Sequence, residues 1–380
     1  MSERLFSLAC AAMFVFGIVL ALPGTVLGLP DAVAALGLTL AGRGTLISAL
    51  FVGLLLGSLA SGPLVDKLGH RASLALSAGL VALCLPLFAA APTAILAGLA
   101  LVALGLAAAG MNTASNALSS DLFPTERARR MNLLGILAAL GGLALPITTV
   151  LASGAASWRA VVVGGALLAA VVAVACARVR VLSPVPTLPH SATDAFKHFA
   201  RRPGFALFGL LLMLGGGNEA SMAGWTSTYL NASGFSAAAS TWALSAHWLG
   251  LILARVLLSA RAEHAKSAAI TRSALCGAAC VLIFVSVRVP VVLAVGPFAI
   301  GVAIALIVPT SLALAGDRYP GNAGTLFGLL LTLAQVGGIA LPAAIGLVSD
   351  RAGLHAGLSL LVLSGLGVAL VMRSIARRAV

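Results

Sequence analysis

The chain has 380 residues, 61% of them hydrophobic and only 9% charged, with a mean hydropathy of +1.11. A water-soluble domain carries about 25% charged residues, so this surface must face lipid. The net charge of +13 would suggest nucleic acid in a soluble protein, but the basic residues are spread over short segments between apolar runs and form no single stripe, which excludes that partner.

A membrane-crossing helix needs about 20 apolar residues to span roughly 30 Å at 1.5 Å per residue. Twelve runs qualify: 5–28, 44–64, 72–91, 93–118, 131–153 and 158–178, then 204–230, 237–260, 267–287, 290–315, 322–347 and 354–373. The first is too long for the apolar core of a cleaved leader and is followed by further spans. One polar connection, 179–203, holds Pro184, Pro186, Pro189 and Arg201-Arg202. The expected fold class is therefore an all-α membrane protein of twelve transmembrane helices in two six-helix bundles, 1–178 and 204–380, joined by a cytoplasmic linker. With the N-terminus inside, 19 of the 23 Lys and Arg residues fall on the cytoplasmic side, and only Arg43, Arg159, Arg288 and Arg351 fall outside. That bias predicts a multi-pass protein of the plasma (inner) membrane with both termini cytoplasmic. All five cysteines lie in apolar stretches, and Cys276 with Cys280 lacks the second ligand pair of a zinc site, so they read as reduced packing residues.

The halves repeat each other. An offset of 196 residues lays Gly141-Gly142-Leu143-Ala144-Leu145-Pro146 on Gly337-Gly338-Ile339-Ala340-Leu341-Pro342, and Asp121-Leu122-Phe123-Pro124 on Asp317-Arg318-Tyr319-Pro320. An offset of 197 brings Asp66 onto Glu263. Two parallel six-span repeats predict a working site at their interface and alternating access by rocking. The repeated Gly and Pro residues suit a shared role in helix packing and bending.

The stretch Gly62-Pro63-Leu64-Val65-Asp66-Lys67-Leu68-Gly69-His70-Arg71 resembles the signature loop of the major facilitator superfamily. Asp121 to Pro124 with Arg127, and Ser157-Trp158-Arg159, resemble the same family, so the likeness runs along the whole chain. Gly217-Asn218-Glu219, Gly224-Trp225 and Tyr229-Leu230 are similar to the fucose permease and glucose/galactose permease branch. The resemblance implies that Asp66, Lys67 and Arg71 gate the outward-open state. Their chemistry is ion pairing, expected with Arg127 to Arg130 and neighbouring helix ends. Glu263 matches Asp66, but Ala254 replaces Gly57 and no glycine matches Gly69, so the second latch looks degraded. Arg255 is expected to join the inner basic cluster.

Of ten acids, only Glu219 falls in mid-span. An ionised acid at that depth costs on the order of 3 kcal/mol, and taking up a proton removes the charge, so such a carboxyl can link proton entry to a conformational step. His247 is the only mid-membrane histidine and suits either a proton relay or a bonded structural imidazole. Asn218, Met222, Trp225 and Tyr229 share one helical stripe, whose indole and amide suit a sugar, while Trp225 facing lipid and Tyr229 at the interface is the plainer alternative. Asn112 and Asn116, four apart, serve substrate binding or interhelical bonding equally well. No phosphate-cradling loop, metal cluster or nucleophile–base pair is present in the sequence, so neither enzyme activity nor a cofactor is expected. The resulting expectation is a monomeric secondary transporter in the lipid bilayer that moves a small-molecule solute, a sugar or related metabolite, by proton symport. Sodium is the less favoured ion. A proton-coupled exporter of amphipathic compounds is the alternative, and a non-transporting receptor or lipid-handling protein a second.

Overall fold

The computed structural model describes residues 2–123, 127–153, 155–179, 204–319 and 323–377. All regular structure among them is helical: α1 (Ser2–Val26), α2 (Pro30–Leu36), α3 (Leu40–Ala89), α4 (Ala94–Leu122), α5 (Arg127–Leu151), α6 (Trp158–Arg178), α7 (Phe205–Ala232), α8 (Ala237–His264), α9 (Lys266–Ser286), α10 (Pro290–Ile304), α11 (Ile307–Arg318), α12 (Ala323–Ala352) and α13 (Leu354–Arg377). Twelve stretches of these helices are long and apolar enough to cross a membrane, as the sequence predicts. The connection expected at 179–203 lies outside the described residues, save Val179. Contacts divide the chain into two compact units, Met1–Leu38 with Ala49–Pro189, and Thr39–Ser48 with His190–Val380. The first residues of α3 thus belong with the second unit, a grouping that the apolar pattern does not announce.

Three local features depart from the apolar pattern. A short helix, α2, follows the first span, started by Pro30 at its first position and ended by Gly37 at φ 60°. The expected loop between the second and third spans shrinks to a single break within α3 at Gly69 (φ 77°, ψ 164°), a conformation that only glycine enters without strain. The span expected at 290–315 is interrupted between α10 and α11. Pro309 has no N–H to offer the Ala305 carbonyl four residues earlier, and the helix opens there.

Within each unit the helices meet at glycines. In the first, a Cβ on Gly17 would strike the Ala138 carbonyl and one on Gly141 the Phe14 carbonyl, so α1 and α5 touch backbone to backbone. The second unit repeats this crossing between α7 and α12, where Gly216 abuts Ala334 and Gly337 faces the Met213 carbonyl. A second crossing is also duplicated. Gly53 and Gly105 join α3 to α4 at Val102 and Leu50, and Gly250 and Gly301 join α8 to α10 at Phe298 and His247. Lipid offers no hydrophobic drive between helices, so such close backbone contact supplies dispersion energy that larger side chains would block.

Candidate functional site

From Gly215 to Leu230, α7 is buried almost all round; besides Gly216, only Glu219 keeps partial access. Its carboxylate does not stand alone. Arg255 of α8 donates from Nη2 to both Glu219 oxygens, at 2.9 and 3.1 Å. This corrects the assignment of Arg255 to an inner basic cluster and of Glu219 as an isolated acid. Glu219 lies about 21 Å along α7 from Phe205, and Arg255 about 14 Å along the antiparallel α8 from His264, and the long Arg stem covers the difference. Arg255 Nε donates to the Ala305 carbonyl at 3.3 Å, the acceptor that Pro309 leaves without a helical partner. The helix break therefore holds the guanidinium by one edge. Nη1 makes no hydrogen bond among the described residues, and the two side chains retain 17% and 25% exposure.

Asn218 and Met222 line a small pocket within the second unit, walled by Ala278, Val281, Ile304 and Ile307 among others. Trp225 is fully buried and packs its ring edge toward Gly44, which rules out the lipid-facing alternative. Three enclosed polar atoms on this part of α7, Asn218 Oδ1, Ser221 Oγ and Trp225 Nε1, have no hydrogen-bond partner among the described residues. Tyr229 is also buried. Its hydroxyl lies 2.9 Å from His355 Nδ1 and its ring 4.9 Å from that of Phe284, so it holds helices together and is no interfacial belt residue.

His247 is wholly enclosed at the crossing of α8 and α10, with Nδ1 3.2 Å from the Pro297 carbonyl. A carbonyl only accepts, so Nδ1 carries the hydrogen. No hydrogen bond joins His247 to Glu219 among the described residues. The matching position in the first unit's crossing is Leu50, which suits a packing residue better than a relay. Replacing His247 by Leu is accordingly expected to leave proton-driven uptake unchanged in reconstituted vesicles; loss of the gradient dependence would restore the relay role.

In the first unit, Asn116 Nδ2 donates to both the backbone carbonyl and the Oδ1 of Asn112, each at 2.9 Å, and both side chains are half-buried. Each amide thus has one of its two polar atoms bonded within the pair. The side chains of Asp66 and Arg127 lie outside the described residues, and Lys67 is exposed. Arg71 Nη1 donates to the Val179 carbonyl at 2.9 Å, capping the end of α6. Glu3 holds Arg130 through two bonds of 2.7 and 2.8 Å, and the guanidinium stacks over Phe6 and Phe123. The residue that reaches across at this end is His70, 3.0 Å from Asp121. The second unit contains the counterpart, Lys266 to Asp317 at 2.8 Å. Each unit thus makes one such contact at a matching position. An offset of 196 lays His70 on Lys266 and Asp121 on Asp317, so the signal is present in the sequence.

The major facilitator superfamily model matches residues 5–342. A mutant of the nucleoside transporter NupG superposes with a TM-score of 0.78 at 16% identity, covering 98% of this chain and 99% of that one. A mutant of the E. coli fucose:proton symporter FucP gives a TM-score of 0.67 at 16% identity over 97% and 98% of the two chains. A D-xylose-proton symporter gives 0.76 at 13% identity over 98% and 96%. Among curated proteins, none matches this chain by sequence.

Proposed function

Because the chain belongs to the major facilitator superfamily, a family of transporters, we propose that it moves a small polar solute, a sugar or related metabolite, by proton symport with alternating access of its two six-helix bundles. The observation that carries this reading is the Glu219–Arg255 pair set within the spans. Ionisable groups at that depth are costly and persist where they line a water-reached pathway. A carboxylate that must let go of its guanidinium when it takes a proton is a two-state element biased by proton binding. Glu219 is thus the proton-coupling group, and proton supply, not sodium, fits a carboxylate already held by an internal cation. The solved relatives that carry fucose and xylose with protons support solute and ion class. Asn218, Met222 and Trp225, with Asn112 and Asn116 on the other unit, are the proposed solute contacts, since unpartnered polar atoms cluster at the first group. The proposed orientation, in the plasma (inner) membrane with both termini cytoplasmic, follows from the basic residues. His70 with Asp121 and Lys266 with Asp317 join Asp66, Lys67, Arg71, Arg127 and Arg130 as the proposed gate.

Uptake of labelled sugars into vesicles with an imposed pH gradient tests the reading. Inward protons are expected to drive accumulation against a solute gradient; influx indifferent to the gradient rejects symport.

A further inference from the structure

We infer that Arg255 is the binding group for the carboxylate of a small organic monoanion, which takes the place of Glu219 at the guanidinium when Glu219 is protonated. The inference rests on the symport reading and narrows its solute from sugar or related metabolite to a sugar acid or other small carboxylate. A guanidinium does not give up its proton. When Glu219 is neutralised, the Arg255 charge is left within the spans without its counter-ion, the costly arrangement for a charged pair. No other acid can step in from the chain itself, because the remaining nine all fall in loops, tails or span ends. A neutral sugar would leave that charge uncompensated, whereas an incoming carboxylate restores the contact that the site already makes.

The geometry is prepared for this exchange. Nε is anchored on the Ala305 carbonyl, so the guanidinium does not depend on Glu219 for its position. Both Glu219 oxygens share Nη2, and Nη1 still offers its two N–H groups, so an arriving carboxylate can engage Nη1 before Glu219 departs. The pair is partly accessible, as an exchanging contact requires. The charges balance: one proton goes onto a Glu219 oxygen, one carboxylate comes onto Arg255, and the loaded site bears the same net charge as the empty one. Each anion therefore travels with one proton, and the membrane potential alone does not drive the cycle.

The test uses the purified full chain at fixed ionic strength, with acetate, lactate and gluconate as probes, their neutral partners acetamide, lactamide and glucose, and inorganic phosphate, read by calorimetry and thermal shift. We expect at least one carboxylate to bind where its neutral partner does not, and wild-type affinity to rise toward tenfold per unit of falling pH as binding takes up one proton. Glu219→Gln, which leaves Arg255 without its internal anion, is expected to bind tighter than the wild type at pH 7.5 and to lose the pH dependence. The double change Glu219→Gln with Arg255→Gln is expected to lose the carboxylate preference. Neutral partners binding as well as acids, phosphate alone binding, no carboxylate binding, or affinity indifferent to Arg255 each overturns the inference. Should Glu219→Gln not fold, the wild-type pH series decides alone. Failure here with gradient-driven sugar uptake intact removes the anion and keeps symport. Carboxylate binding at Arg255 with gradient-indifferent transport does the reverse.

Discussion

Glu219→Gln is expected to abolish accumulation driven by a pH gradient while solute exchange across the membrane continues. The amide keeps the shape of the carboxyl and can still accept a bond from Arg255 Nη2, which lies 2.9 Å from Oε1, but it neither carries nor releases a proton. The permanently neutral side chain mimics the protonated carboxyl at every pH. Removing one partner of a fully buried ion pair costs about 3–5 kcal/mol; both side chains here retain access to the outside, so the loss of stability falls below that range and the variant can be purified. Uptake in vesicles with and without a gradient, against counterflow of labelled solute, gives the comparison. Undiminished accumulation in the variant would move the coupling group elsewhere.

The largest expected structural effect comes from Gly337→Leu. At this position any Cβ falls within the Met213 carbonyl of α7, a backbone atom that no side-chain rotation can move. Relief requires α7 and α12 to separate, and overpacking of this kind costs about 3 kcal/mol or more. The expected outcome is loss of most folded, monodisperse protein on size-exclusion chromatography, with any survivor melting well below the wild type. Gly328→Ala is the control, on the same helix with open space around it, and is expected to behave as the wild type. Equal behaviour of the two variants would show that the backbone contact contributes little.

Much of the fold is legible because membrane crossing imposes one length on every helix, and the repeated Gly-Gly and Leu-Pro signature marks the two close crossings at Gly141 and Gly337. The break between α10 and α11 is hidden inside a uniformly apolar run, although Pro309 names the carbonyl that loses its partner. Site legibility follows the same divide. Glu219 stands out by its depth in one helix, which a linear reading measures well. Its partner does not, because pairing with Arg255 depends on how far along an antiparallel neighbour a long side chain can reach. His247 illustrates the converse: a titratable residue at mid-span stands out in the sequence, whereas its place at the crossing of α8 and α10, matched by Leu50 in the first unit, is set only by folding. The bond of Arg130 to Glu3 escapes a linear reading because Glu3, near the chain start, is brought to it only by folding.

The crossings at Gly337 and at Gly250 with Gly301 press α7 against α12 and α8 against α10 backbone to backbone, so the second unit contains two closely packed girders. Glu219 rides on one girder, while Arg255, clipped to Ala305 next to α10, rides on the other. The salt link is thus a rivet between them.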